Sequence, residues 1–473
     1  GSSARIEGGF GGPGTIAGGT SPLTPKAPGG PGGPGLAPAL LGGAGPSPPL
    51  FPGSFRGFEA ALRSLVATDL ALGKIDRAVL RTDQLLQSQY ERYYGRRIQA
   101  RSPQSADDLR SVLSEVSGQT GTKPAIVYFV FQPDRLEIAV LAPGIKSFYR
   151  SVPIERKLLL QQVATFREQI TNPTNQNYLP SAQKLYNLLF APIAPLLAEQ
   201  GIDTLLVVPD SGLRSLPFVA LHDGQKFLVE KWSVSLIPSI SLTDIRYNSL
   251  RKATVLAMGA SIFRDLSPLP AVPVELESVV KELGQGQSLL NQAFTVENLK
   301  TSRQKQAYSI VHLATHGEFR SGTSRNSYIQ FWDRKLNLRD LGLLQLDQPP
   351  VELLVLSACR TALGDEQAEF GFGGLAVQAG VRSALASLWY VSDTGTLGLM
   401  TEFYSQLRLQ ATKAGALRAA QIAMIRGKIR LENQSLIHVR GSILLKPELL
   451  TGGQSDLTHP YYWAAFTLIG SPW

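Results

Sequence analysis

The chain has 473 residues, 43% of them hydrophobic and 18% charged, enough apolar material for two to four domains or one large composite at roughly 100–200 residues per domain. A single cysteine excludes an internal disulfide and any zinc site built from several thiolates, and without a run of about 18 apolar residues no membrane span is expected. The 46 basic and 37 acidic residues leave a net charge of +9, but the basic side chains are dispersed along the chain. Their densest cluster, ERYYGRRIQAR (91–101), reads as a solvated helix end and loop, so no nucleic-acid partner is expected.

Residues 1–53 supply much of the 45 Gly and 31 Pro without a strict three-residue glycine repeat, which excludes collagen. Such a stretch buries too little apolar surface to offset its ordering entropy, and a disordered linker is expected. Its GSS start reads as a cloning remnant, with the natural protein continuing upstream. A helical segment is predicted over 54–121. Phe55, Phe58, Leu62 and Leu65 fall on one helical face, and Ile75, Val79, Leu86 and Tyr90 on another.

From residue 122 the texture changes. KPAIVYFVFQ and RLEIAVLAPG read as strands parted by the turn signal Pro133-Asp134, followed by helical stretches at 154–170 and 181–200 and a run of strands over 203–239. A second alternation starts at Ala253. Its strands are ATVLAMG, SIVHLA, SYIQFW, VELLVL and RSALASLW, and its helices lie near 273–283, 295–304, 338–345, 373–380, 395–409 and 413–427. Strands alternating with helices at this spacing predict an α/β fold with a mainly parallel sheet flanked by helices. The expected division is an α/β subdomain over 122–250 and a second over 251–473.

VELLVL is continuously apolar, as expected of a strand covered on both faces, and Cys359 follows it closely. His316 follows SIVHLA in the same way. In open α/β sheets, reactive groups gather beyond the carboxyl ends of the strands, so neighbouring strands would let Cys359 and His316 face each other across a cleft. A histidine in hydrogen-bond reach can take the thiol proton and later deliver it to a leaving amine. Gly317 carries no side chain, and its N–H with that of Cys359 suits an oxyanion hole. The competing reading is a buried structural cysteine, the commoner fate of a lone thiol. Ser357-Ala358-Cys359-Arg360-Thr361 is related to the caspase signature Gln-Ala-Cys-x-Gly, which has its histidine about 50 residues upstream.

HLATHGEF (312–319), LLVLSACRTALG (353–364), GLAVQAGVRSALASLWYVSD (374–393) and HPYYWAAFTLIGSPW (459–473) together resemble the CHAT peptidase family of caspase- and separase-like cysteine peptidases. LLVVPDSGLRSLPFVALHDG (205–224) is similar to that family's upstream signature. The resemblance covers roughly residues 55–473. It implies a caspase-like fold, Cys359 as nucleophile, His316 as base, and the 122–250 half as a non-catalytic caspase-like partner. The variety is similar to CHAT domains that follow filamentous-haemagglutinin-type secreted modules in large bacterial proteins, which leaves cell surface, secretion and cytoplasm all open.

Asp365, Glu366 and Glu369 lie in the predicted loop after the cysteine, and Asp393 follows the strand RSALASLW, whose edge is expected to pair with an extended peptide. Separase-like relatives place an acid in the matching LW-x-V-x-D position. The resemblance therefore assigns Asp393 to selecting arginine or lysine beside the scissile bond through a charge-assisted hydrogen bond. Asp365, Glu369 and Ser387 complete the substrate-binding set. The expected activity is a cysteine endopeptidase acting on a protein or peptide as a monomer, with an activating partner; the alternative is a latent or inactive CHAT module serving interaction. No cofactor or metal is expected, because His312 and His316 lack the glutamate of H-E-x-x-H and no nucleotide loop or serine elbow occurs. His222 and His459 are expected to be structural and His438 to sit in a surface loop, while Arg320 and Arg325 are candidate self-cleavage sites.

Overall fold

The computed structural model describes residues 52–100, 103–450 and 456–473. All but the last two residues of the Gly/Pro-rich stretch expected as a linker lie outside them. The described chain starts with two helices, Pro52–Ala71 and Ile75–Tyr94, and a third follows at Ala106–Thr120. The buried carboxylate of Asp69, near the end of the first helix, is ion-paired to Arg77 and Arg81 of the second, which fastens the two as a hairpin. Val79, Leu86 and Tyr90 recur at helical spacing and are fully buried.

Among the described residues, one thirteen-stranded sheet runs through both α/β halves. From one edge its order is Lys335–Asn337, Tyr328–Gln330, Ile310–Phe319, Leu353–Thr361, Ser383–Ser387 and Phe466–Gly470. It continues through Ser233–Leu236, Thr204–Pro209, Pro124–Phe131, Leu136–Leu141 and Phe148–Val152. Val255–Gly259 pairs beside the first half of Ile310–Phe319 and carries Gly286–Leu290 at its outer side. Most ladders are parallel. The seam is Phe466–Gly470, antiparallel to Ser383–Ser387 on one side and parallel to Ser233–Leu236 on the other.

Helices cover both faces, so interior strands are apolar throughout: PAIVYFVF and TLLVVP are buried at every position. Each Val, Leu, Ile or Phe so buried contributes about 1.5–3 kcal/mol relative to exposure. The aromatic carboxyl end packs back onto this core, with Trp463 and Trp473 among the largest fully buried side chains. Among the described residues no helix is long and apolar enough to cross a membrane.

Four local differences from the sequence reading have physical reasons. The helix expected over 181–200 splits into Tyr178–Leu189 and Ala194–Glu199, because Pro192 offers no N–H to continue the ladder. The run of strands expected over 203–239 keeps only Thr204–Pro209 and Ser233–Leu236, and between them the chain folds through a single 3₁₀ turn, Phe218–Ala220, and a four-residue helix, Leu228–Lys231. Residues 430–444 form a small separate sheet of three strands that includes His438, which was read as loop. The acidic stretch after Cys359, also read as loop, is the helix Glu366–Gly373, capped by the Asp365 carboxylate, which accepts the Ala368 N–H at 2.8 Å.

Candidate active site

Both strands that carry the candidate pair run past it. Ile310–Phe319 includes His316 and Gly317, and Leu353–Thr361 includes Cys359, so neither residue lies in a loop beyond a strand end. The two strands are parallel neighbours. Leu313 pairs with Leu356, then a bulge inserts one extra residue on the histidine strand, and beyond it His316 pairs with Ala358 and Gly317 with Cys359.

Pairing decides the faces. Partners across a ladder share a face and successive residues alternate, so Cys359 and Gly317 point to one side and His316 and Ala358 to the other. Contacts on each side agree. On the histidine side, Glu318 bridges Arg360 at 2.8 Å. On the cysteine side, Phe319 meets Phe372 of the helix Glu366–Gly373 edge to face at 5.5 Å. The structure therefore brings Cys359 and His316 onto adjacent strands at one rim but turns their side chains to opposite faces. The expectation that they face each other is corrected for this conformation.

His316 is partly exposed. Its ring packs edge-on against Phe263 at 4.8 Å, and Nε2–H donates to the Ser267 carbonyl at 2.8 Å. A carbonyl can only accept, so this bond fixes the proton on Nε2 and leaves the Nδ1 lone pair as the basic site of the neutral ring.

Cys359 is 1% exposed, and burial alone pushes its thiol well above the usual range. Gly317 is what makes room for it: a Cβ built there would come within 2.5 Å of Sγ. The Cys359 backbone is held by Ser387. The Cys359 N–H donates to Ser387 Oγ at 3.2 Å, and the Ser387 hydroxyl donates to the Cys359 carbonyl at 2.7 Å. Ser387, expected to bind substrate, is itself buried and braces the cysteine strand, and the N–H expected to stabilise an oxyanion is already bonded.

The acids separate into different roles. Asp365 is a helix cap. Glu369 is fully buried, where it accepts from Arg167 at 2.9 Å, from the Gly212 N–H at 2.9 Å and from the Ser215 hydroxyl. Its place in the substrate-binding set is corrected: the carboxylate is saturated by groups from the upstream half. Glu366 accepts from the Ser211 hydroxyl on the same surface. The edge of the strand Ser383–Ser387 is likewise closed to a peptide, because it pairs with Leu353–Thr361 on one side and Phe466–Gly470 on the other.

Asp393 begins the helix Asp393–Leu407 on the histidine side. It accepts from the Tyr390 hydroxyl at 2.7 Å and more weakly from the Ala271 N–H at 3.4 Å. Burial raises its pKa, opposed by those two bonds and by the charge of nearby His316. Tyr390 (42% exposed) leaves this acid near the surface. Of the predicted substrate-binding acids, Asp393 is therefore the one that shares the histidine face.

Other expected positions are structural. His312 is fully buried between the Tyr404 hydroxyl (2.9 Å) and Glu275 (3.0 Å). His222 accepts the Gly224 N–H within its turn, and His459 caps Pro460–Trp463 while donating to the Asn175 carbonyl at 2.9 Å. Arg320 and Arg325 lie between Ile310–Phe319 and Tyr328–Gln330, with Arg320 ion-paired to Glu318. The helix Glu366–Gly373 is the element beside the cysteine that sequence reasoning missed. Its signal was present in Asp365 ahead of Glu366 and Glu369, a capping residue followed by acids in a first turn, but the helix was expected to begin only at Gly373, with the acids in a loop before it.

The model of the CHAT domain family matches residues 179–471, well over half of the chain. Solved structures with a similar course include the Saccharomyces cerevisiae separase–securin complex, at 11% identity and a TM-score of 0.46, covering 84% of this chain and 34% of the other. The complex of Porphyromonas gingivalis gingipain pro- and mature domains is similar at 11% identity and a TM-score of 0.34, covering 67% of this chain and 76% of that one. The Arg-specific cysteine proteinase gingipain R follows at 12% identity and a TM-score of 0.33, covering 64% and 69%. The chain thus spans about a third of the length of the separase chain it matches. No curated relative matches it.

Proposed function

The chain belongs to the CHAT domain family, and from that premise we propose that it is a cysteine endopeptidase that cuts protein or peptide chains after arginine or lysine. The observation that carries this reading is the parallel ladder that sets His316 and Gly317 directly beside Ala358 and Cys359 at one rim of the sheet. His316 is the base, with Nδ1 free to take the Sγ proton. The thiolate attacks the scissile carbonyl and forms a C–S bond. N–H groups of Gly317 and Cys359 donate to the resulting oxyanion. The imidazolium returns its proton to the leaving amine as the C–N bond breaks. Water then opens the thioester, giving one proton to His316, and the thiol is restored. Asp393, on the histidine face, pairs with the basic side chain of the substrate.

This cycle needs the sulfur on the histidine face and the Cys359 N–H released from Ser387. The buried thiol therefore supports the second reading from the sequence, a latent module, as the resting state of the same enzyme, monomeric and opened by an activating partner. A panel of fluorogenic peptides carrying Arg, Lys, Leu or Asp before the scissile bond tests the proposal. Cleavage after Arg and Lys, abolished in Cys359→Ala, is expected. Equal cleavage after Leu or Asp overturns the specificity, and undiminished activity in Cys359→Ala overturns the nucleophile.

A further inference from the structure

The motif PDSGLRSLPF (209–218) takes no part in the chemistry above, yet its groups converge on one helix. Ser211 donates to Glu366, and the Gly212 N–H and Ser215 hydroxyl donate to Glu369. The Arg214 guanidinium lies over the Phe370 ring at 4.2 Å. Arg167 completes the shell around Glu369 with its ion pair. All of these hold the helix Glu366–Gly373, whose Phe372 packs on Phe319 on the face of the sheet that buries Cys359.

A second surface holds the same helix less well. Tyr90, Tyr93 and Tyr94 of the helix Ile75–Tyr94 press their hydroxyls against three glycines: a Cβ at Gly371 would meet Tyr93 Oη at 3.1 Å, at Gly373 Tyr90 Oη at 2.7 Å, and at Gly374 Tyr94 Oη at 2.5 Å. Among the described residues the Tyr94 hydroxyl is buried without a hydrogen-bond partner, whereas those of Tyr90 and Tyr93 are drawn toward Arg214 and Ser327. An eight-residue helix ending in glycines is weak by itself, and the unsatisfied Tyr94 phenol weakens the contact further. The covering element is thus anchored by charge at one end and only loosely seated along its length, the construction of a part that moves.

We infer that the helix Glu366–Gly373 is an autoinhibitory latch, held by the loop 210–215, Arg167 and the tyrosine row of Ile75–Tyr94, which covers the Cys359 thiol on the face of the sheet opposite His316 until it is displaced. The inference rests on Cys359 being the nucleophile proposed above. It assigns the upstream half and the helical hairpin a common task, control of access to one thiol.

The full chain holds a single cysteine, so its alkylation by iodoacetamide, followed by intact mass, reports on the exposure of that one thiol. Glu369→Gln keeps the shape of the side chain but removes the ion pair, and labelling at least roughly ten-fold faster is expected. Tyr94→Phe removes an unpartnered hydroxyl and keeps the ring, so the closed state gains and labelling slows roughly five-fold. That opposite sign protects the test against a Glu369→Gln chain that merely unfolds. Equal rates in the wild type and both variants, or acceleration in Glu369→Gln that only tracks global unfolding in denaturant, overturn the latch. Peptide cleavage measured in parallel separates the two ideas: labelling that responds as expected without any cleavage leaves the latch and removes the peptidase, and cleavage with labelling indifferent to both variants does the reverse.

Discussion

Gly317 lies directly across the ladder from Cys359, with space between them for sulfur and for nothing more. Gly317→Ala is therefore expected to lose about 1–3 kcal/mol through overpacking, measured by chemical denaturation. Adding Cys359→Ala to it should restore most of that loss, because the clash is with Sγ. Additive losses in the double variant would contradict the close approach.

Burial raises the Cys359 pKa, and the sign of its effect on stability follows. The folded chain keeps the proton at pH values where the unfolded chain, with an ordinary thiol near about 8.5, has released it. The stabilising contribution is complete below that value and declines as pH climbs, by about 1.4 kcal/mol per pH unit from this group. The wild type should lose stability between about pH 8.5 and 10 with this extra slope, and Cys359→Ala should lack it. Parallel profiles for the two would show a thiol open to solvent.

Asp393→Asn should lower kcat/KM for arginine peptides by about 100-fold while leaving any slow cleavage after leucine unchanged. Because burial raises the Asp393 pKa, preference for arginine should fade on acidification at a higher pH than an ordinary aspartate would give. Loss of activity on every peptide alike would instead make Asp393 a positioning residue for His316.

Ser387→Ala leaves the Cys359 N–H and carbonyl without their buried partner, a cost of about 1–3 kcal/mol. The strand end should loosen, with lower stability in denaturant and faster alkylation of Cys359. Unchanged labelling in a destabilised variant would mean that Ser387 supports the sheet without restraining the cysteine.

Much of this arrangement was legible in the sequence. Apolar runs such as VELLVL announced strands covered on both faces, and the alternation after Ala253 announced a parallel sheet, because burial and helical crossovers leave those periods in the chain. The motifs around His316 and Cys359 marked the rim. Side-chain direction did not follow, since it depends on how many residues each strand spends between two pairings, which is a property of the ladder. Glu369 was misread for a related reason: an acid near a cysteine in sequence looks available to substrate, and only the fold supplies Arg167 and the 210–215 loop to bury it. That the glycines of 371–374 make room for tyrosine hydroxyls could not be read either, because those tyrosines lie almost three hundred positions away.

The bulge before His316 has a consequence of its own. Counted without interruption from the Leu313–Leu356 pair, the third step up each strand reaches His316 on one and Cys359 on the other. An even ladder would thus stand imidazole and sulfur shoulder to shoulder. The inserted residue displaces that partnership by a single step and gives the place to glycine. Between an idle rim and a reactive one lies one residue of slack.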